Sequence, residues 1–231
     1  AEGFARRHGV PHVFASSEEA LAGGPFDAVH VLVPPDRHHA VTLPWLAAGV
    51  ATLVEKPLAV SASEAHDLVG RAGDGGAVLG VNQNFVFHPA FRRLRRVIES
   101  RQLGALDANG VVERAGGGWR RVIETRRLGA LDSMSCTYSM PLRHLQTGQF
   151  SHWMFREPKN ILLEQAVHPL SQLASVAGAR RRFAGIAGRP RTLGAGGVFH
   201  DKVDLVIEYE ACAAHLRFSV GNPYPIWTIT A

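Results

Sequence analysis

Three observations predict an α/β protein: a first part in which short apolar strands alternate with helical patterns, a second part in which strands follow one another with few helices between them, and a composition of 46% hydrophobic and 19% charged residues over 231 positions. Alternation of strands with helices of about 10–15 residues means βαβ units and a parallel sheet. Consecutive strands mean a mostly antiparallel, open sheet covered by helices on one face. The boundary falls near Asn84, giving domains 1–84 and 85–231. A chain of this length buries a real core without metal or disulfide staples.

The elements follow in order. Gly3–His8 is a helix end closed by Gly9, and His12–Ala15 is a short strand. Ser16 with Glu19 is a capping box that opens a short helix. Asp27–Val33 is a buried strand stopped by Pro34-Pro35. Arg37–Ala48 is helical, with Gly49 as its C-cap. Ala51–Glu55 is the next strand, ended by Lys56-Pro57. Ser61 with Glu64 is a second capping box, for a helix running to about Ala72, and Ala77–Val81 is a third strand. Beyond Asn84, Pro89–Ser100 is an amphipathic helix. Ile161–Ala177 is another helix, with Pro169 as a kink or early boundary. Arg182–Ile186, Val203–Tyr209 and Ala213–Val220 are strands, and the chain stops in a further strand-like run from Pro225. Arg95–Asp107 recurs as Arg120–Asp132, an offset of 25 residues. Two copies are too few for a solenoid, so this is a local duplication, with Gly116-Gly117-Gly118 in an inserted connection.

The net charge is +5, with Arg far outnumbering the lysines Lys56, Lys159 and Lys202. The clusters Arg92-Arg93, Arg95-Arg96, Arg120-Arg121 and Arg180-Arg181-Arg182 are solvated faces. Nucleic acid is excluded as a partner: no helix-turn-helix signal, zinc spacing or RNP-like aromatics accompany the charge. A membrane is excluded too, since no apolar run reaches the length of about 18 residues that a spanning helix needs. Cys136 and Cys212 lie far apart with no CxxC, which fits a reducing, cytoplasmic setting and no metal centre.

Two segments carry the chemistry. Pro34-Pro35-Asp36-Arg37-His38-His39 and Glu55-Lys56-Pro57 both follow strands, and open parallel sheets bind ligands beyond the carboxyl ends of their strands. Lys56 there is a point charge, a proton donor, or simply a surface lysine in a turn. The second segment is Glu164-Gln165-Ala166-Val167-His168. Residues i and i+4 share a helical face, so Glu164 can orient the His168 imidazole for acid/base work. The same pair also suits a helix-surface ion pair or a core histidine, and as a metal pair it lacks a third ligand.

Together these segments resemble the Gfo/Idh/MocA family of NAD(P)-dependent oxidoreductases. The resemblance rests on Asp27–His39, on Leu46-Ala47-Ala48-Gly49 through Val54-Glu55-Lys56-Pro57-Leu58-Ala59, on Val81-Asn82-Gln83-Asn84-Phe85, on Leu103-Gly104, and on Glu164 to His168 where the family has Asp-x-x-x-His. It implies a Rossmann-type dinucleotide-binding domain followed by a substrate and oligomerisation domain. Lys56 would match the catalytic lysine and His168 the general acid/base, with Glu164 in place of its aspartate partner. Pro34, Pro35, His38, Glu55, Pro57 and Asn82 would line the nicotinamide side of bound NAD or NADP. The implied reaction is hydride transfer between nicotinamide and a carbinol carbon of a sugar, inositol or related polyol, in a homo-oligomer built on the open sheet.

Departures from the family pattern shape these expectations. No G-x-G-x-x-G precedes Pro34, so the resemblance implies that on the order of 30–40 residues of the family's fold, one βαβ unit, lie outside this chain. The last strand likewise stops where the family continues. The expectation is therefore a fragment truncated at both ends, with impaired cofactor binding. Glu157-Pro158-Lys159-Asn160 stands in place of the family's glycine-rich approach to the second-domain helix. The alternative is a non-catalytic binding or assembly module that retained the fold.

Overall fold

The computed structural model describes residues 1–100, 130–178, 181–192, 198–210 and 212–231. The chain divides into two compact units, Ala1–Asn82 and Gln83–Ala231, a division two residues before the expected boundary. The second copy of the duplicated stretch, apart from its last residues, lies outside the described residues, as do Leu103-Gly104 and the glycine run.

The first unit is a three-stranded parallel sheet in the order β1-β2-β3, with β1 Ala28–Val31, β2 Ala51–Glu55 and β3 Leu79–Asn82. Helices α1 (Glu2–His8) and α2 (Ser17–Ala22) precede it, while α3 (His38–Ala47) and α4 (Ala62–Gly75) form its crossovers. Both capping boxes form. Ser16 Oγ accepts from the Glu19 amide and Ser61 Oγ from the Glu64 amide, each at 3.2 Å. The glutamates reach back to the amides of Ala15 and Val60. Gly9 and Gly49 adopt φ of +66° and +72°, the left-handed conformation that a helix end needs and only glycine enters at little cost. Val31 and Val54 are buried on one sheet face, and Leu46 of α3 packs on Leu68 and Ala72 of α4. His12–Ala15 is not a strand. Among the described residues no strand lies beside it to take its hydrogen bonds.

The second unit is a mixed five-stranded sheet in the order β5-β6-β7-β4-β8. Its strands are β4 Ser133–Met140, β5 Arg181–Thr192, β6 Val198–Tyr209, β7 Ala213–Val220 and β8 Ile226–Thr230. Three neighbour pairs are antiparallel and one, β4 with β7, is parallel. Strand β4 was not expected from the sequence. Helix α5 (Pro89–Ser100) has the predicted bounds, with Arg92, Arg93, Arg95 and Arg96 exposed and Phe91 buried. Helix α6 is Arg143–Thr147. Over Leu162–Ala166 the chain winds as a π-helix, and α7 (Val167–Ala177) continues from it. Proline at 169 lacks an N–H and its ring crowds the carbonyl four residues back; the wider preceding turn gives it room, so the helix is not broken there.

Period-2 burial builds the larger core. Phe199, Val203, Leu205, Ile207 and Tyr209 of β6 point inward with Ala214, Leu216, Phe218 and Val220 of β7 and Met134, Cys136 and Tyr138 of β4. Tyr138 and Phe218 are register partners and stack with ring centroids 5.7 Å apart. Ile161, Ala166, Leu173 and Ala177 cover this face. The opposite face is open and carries Arg182–Glu208 and Asp204–Arg217 ion pairs beside exposed Val206.

Candidate active site

In the first unit three strand ends carry the predicted residues. Parallel register sets Glu55, the last residue of β2, opposite Asn82, the last residue of β3. Asn82 Nδ2 donates to Glu55 Oε1 at 2.6 Å, and His30 Nε2 of β1 stands 3.7 Å from the same oxygen. His30, Leu53, Glu55 and Asn82 share a sheet face by register and alternation. The carboxylate is therefore held at the strand ends and directed, rather than trailing in solvent. Lys56 follows it, half-buried, at the start of the loop into α4. The Lys56–Pro57 peptide is cis.

Pro34 is exposed at the end of β1. Of the six flanking residues, Pro35, His38 and Pro57 are buried. Their place is beneath the strand-end surface. His38 is completely buried, with Nδ1 2.7 Å from the Pro57 carbonyl oxygen and Nε2 2.8 Å from that of Val33. It ties the loop after β1 to the loop after β2. The spacing of Pro34 to His38 signals a strand-to-helix turn, but nothing in it says that the ring turns inward.

In the second unit His168 sits in the first turn of α7, 7% exposed. The Phe85 ring meets it edge-on at a centroid distance of 4.7 Å, and Trp227 of β8 packs on both rings, 4.5 Å from Phe85 and 6.4 Å from His168. Gln172, one turn on, donates Nε2 to the Phe85 carbonyl at 3.0 Å and so fixes the Asn84–Phe87 turn against α7. Glu164 lies on the π turn, where the spacing differs from the 3.6-residue period assumed for an i, i+4 pair. Its Oε2 accepts from Trp153 Nε1 at 2.9 Å. Beside it Tyr138 donates to Gln165 Oε1 at 2.9 Å. Burial raises the Tyr138 phenol above its ordinary range, and the Glu164 carboxylate adds to that. Asn160, within the unusual Glu157–Asn160 approach, is buried and donates to the Trp153 carbonyl at 2.9 Å. His30, Phe85, Trp153, Gln172 and Trp227 escaped the sequence reading. Only Gln172, four residues after His168, had a spacing that could have flagged it. Among the described residues no group of three or more His, Cys, Asp or Glu side chains is placed to hold a metal ion.

A family profile described as an oxidoreductase family with an NAD-binding Rossmann fold matches residues 1–83. Residues 1–83 are thus similar to the Rossmann domain of the Gfo/Idh/MocA oxidoreductases. Among curated relatives of the family, trans-1,2-dihydrobenzene-1,2-diol dehydrogenase from Sus scrofa is 35% identical over 106 residues, 46% of this chain and 32% of that protein. The 1,5-anhydro-D-fructose reductase of Ensifer adhaerens is 33% identical over 101 residues, 44% of this chain and 30% of that protein. These matches span about a third of the curated relatives' length. Over the whole chain the fold agrees with solved structures. An NAD-binding oxidoreductase from Klebsiella pneumoniae superposes with a TM-score of 0.76 at 17% identity, over 100% of this chain and 58% of that one. GenD2 from gentamicin A biosynthesis, solved in complex with NAD, gives 0.71 at 22% identity, over 99% of this chain and 58% of that one.

Proposed function

We propose that this chain carries the nicotinamide-side and proton-handling residues of an NAD(P)-dependent oxidoreductase acting on a carbinol carbon of a sugar, inositol, cyclic diol or related polyol. The observation that supports it most is the Glu55-Lys56-Pro57 segment at the carboxyl end of β2, with Glu55 bonded to Asn82 of the neighbouring strand end. That is where an open parallel sheet binds its ligands. The polar donor set there suits a nicotinamide carboxamide, which needs both donors and acceptors, so the residues present fit the cofactor. Glu55, Asn82 and exposed Pro34 would hold its nicotinamide end. When bound, the cofactor supplies the hydride acceptor for oxidation, or the donor for reduction.

The residues do the rest. In oxidation the bound cofactor would accept the hydride from the carbinol carbon, and a base of this chain would take the hydroxyl proton as the carbonyl forms. Lys56 holds or moves the proton at that oxygen. His168 serves as the general acid/base of the second unit, its ring held by Phe85 and Trp227. The anhydro-sugar in the name of one relative and the cyclic diol in the other's name support hydroxylated cyclic substrates as the class to test. The open face of the second sheet is the surface through which a homo-oligomer would form.

The test is cofactor-dependent turnover of a panel of polyols and cyclic diols, followed by nicotinamide absorbance. Lys56→Met and His168→Ala each lower kcat by about 10²–10⁴-fold, the range of positioned acid/base groups. Unchanged kcat in either variant removes that residue from the assignment.

A further inference from the structure

We propose that Gln172 is a positioning residue for His168, acting through Phe85: its amide holds the turn that lays the Phe85 ring against the imidazole. The catalytic half of this rests on the acid/base role proposed above for His168; the structural half does not. Phe85 lies in the Asn84–Phe87 turn, a single 3-10 turn with no buried residue. Such a turn has little packing of its own to hold it. Gln172, 4% exposed, reaches it from α7 and donates Nε2 to the Phe85 carbonyl at 3.0 Å. The same oxygen closes the turn by accepting from the His88 amide at 3.2 Å. Gln172 follows His168 by four residues, so both side chains leave one face of α7, a turn apart. The tether therefore sets Phe85 from the histidine's own helix. The result is an edge-on contact, with the two rings at 76° and their centroids 4.7 Å apart.

Two observations separate this role from plain packing. Gln172 Oε1 is buried and accepts no hydrogen bond among the described residues. A buried amide whose oxygen has lost its water without a replacement is a poorer core residue than leucine or methionine. What the amide provides is a directed N–H. The second observation is the space beside the aromatic pair. Phe85, Gln172 and Trp227, with Phe91 and Leu94 of α5, line a cavity of about 410 Å³. Close packing locks a ring by leaving it nowhere to go, and one flank of Phe85 lacks that constraint. Trp227 packs on the ring from another side, at 4.5 Å. On the open flank the hydrogen bond from Gln172 is what fixes where the Phe85 backbone stands. A general acid/base must meet its proton within hydrogen-bond reach, about 2.6–3.2 Å, so a small turn of the imidazole between Phe85 and Trp227 changes catalysis.

The measurement is ¹H–¹³C NMR of the His168 ring protons, assigned by their loss in His168→Ala. Phe85 and Trp227 shift these signals through their ring currents, so the signals report how the three rings stand. Gln172→Met keeps the length of the side chain and removes the N–H donor. In it the His168 signals should move toward those of an exposed histidine such as His66. Gln172→Glu, which loses the donor at nearly the same shape, serves if the methionine variant does not fold. In turnover, Gln172→Met should lower kcat by about 10–10²-fold with KM little changed, the pattern of a misplaced acid/base group. Unmoved His168 signals in a folded variant overturn the proposal. So do moved signals with unchanged kcat where His168→Ala lowers kcat. If His168→Ala leaves kcat unchanged, the acid/base role of His168 fails, while the NMR result still decides whether Gln172 sets the ring.

Discussion

At the scale of single residues, burial decides what a side chain can do. Cys136 sits on the inner face of β4 opposite Leu216, with no exposed surface. Burial pushes its thiol from an ordinary value of 9.0 up to about 12. Cys212 is raised as well, chiefly by burial. A thiol held neutral in the fold costs nothing below pH 9, where the unfolded chain is also protonated. Above pH 9 the unfolded chain releases its proton first, so stability falls as pH rises toward the folded value, by up to about 1.4 kcal/mol per pH unit. Denaturant unfolding at pH 8 and pH 10 should therefore show a drop that Cys136→Ala makes smaller. Equal drops in both proteins would mean that Cys136 does not set it. The same logic explains His38: the sequence places it correctly between two strand ends, but the inward turn of the ring depends on two carbonyls 5 and 19 residues away.

At the scale of elements, local chemistry was legible and tertiary partnering was not. Ser61 and Glu64 announce α4, and both halves of the box form. Ser61→Ala should cost about 0.5–2 kcal/mol, because the Glu64 amide loses its acceptor at the helix start. Thermal unfolding checks this, and Ser61→Asp, which restores an oxygen acceptor, should recover most of the loss. By contrast, His12–Ala15, expected as a strand, pairs with no strand among the described residues. Ser133–Met140 carries the opposite case: Met134, Cys136 and Tyr138 alternate with Ser133, Ser135 and Thr137, and the inward set is buried. Small hydroxyl residues and the neighbouring duplicated stretch masked that period. The π turn before Pro169 was also beyond the sequence, since a proline there predicts a break and the chain widens instead. Glu164 shows the consequence for the site. An i, i+4 spacing pairs it with His168 on an α-helix, whereas the side chain lies on the π turn and accepts from the indole N–H of Trp153.

At the scale of the whole molecule, the apolar residues gather in clusters that each close within one unit. Leu46, Leu68 and Ala72, with Ala20, Trp45 and Val50 nearby in sequence order, belong to the first unit. The large cluster from Met134 to Val220 belongs wholly to the second. The sequence implied this division by changing from alternating strands and helices to consecutive strands, because a parallel sheet needs crossovers and an antiparallel one does not. Each cluster should then stabilise its own sheet. Leu46 and Leu216 are both 0% exposed, so truncating either leaves a cavity and costs about 2–5 kcal/mol. Amide hydrogen exchange separates the two effects. Leu46→Ala should speed exchange in β1, β2 and β3, whereas Leu216→Ala should speed it in β4, β6 and β7. Uniform acceleration across both sheets by either substitution would mean that the two cores unfold as one cooperative block.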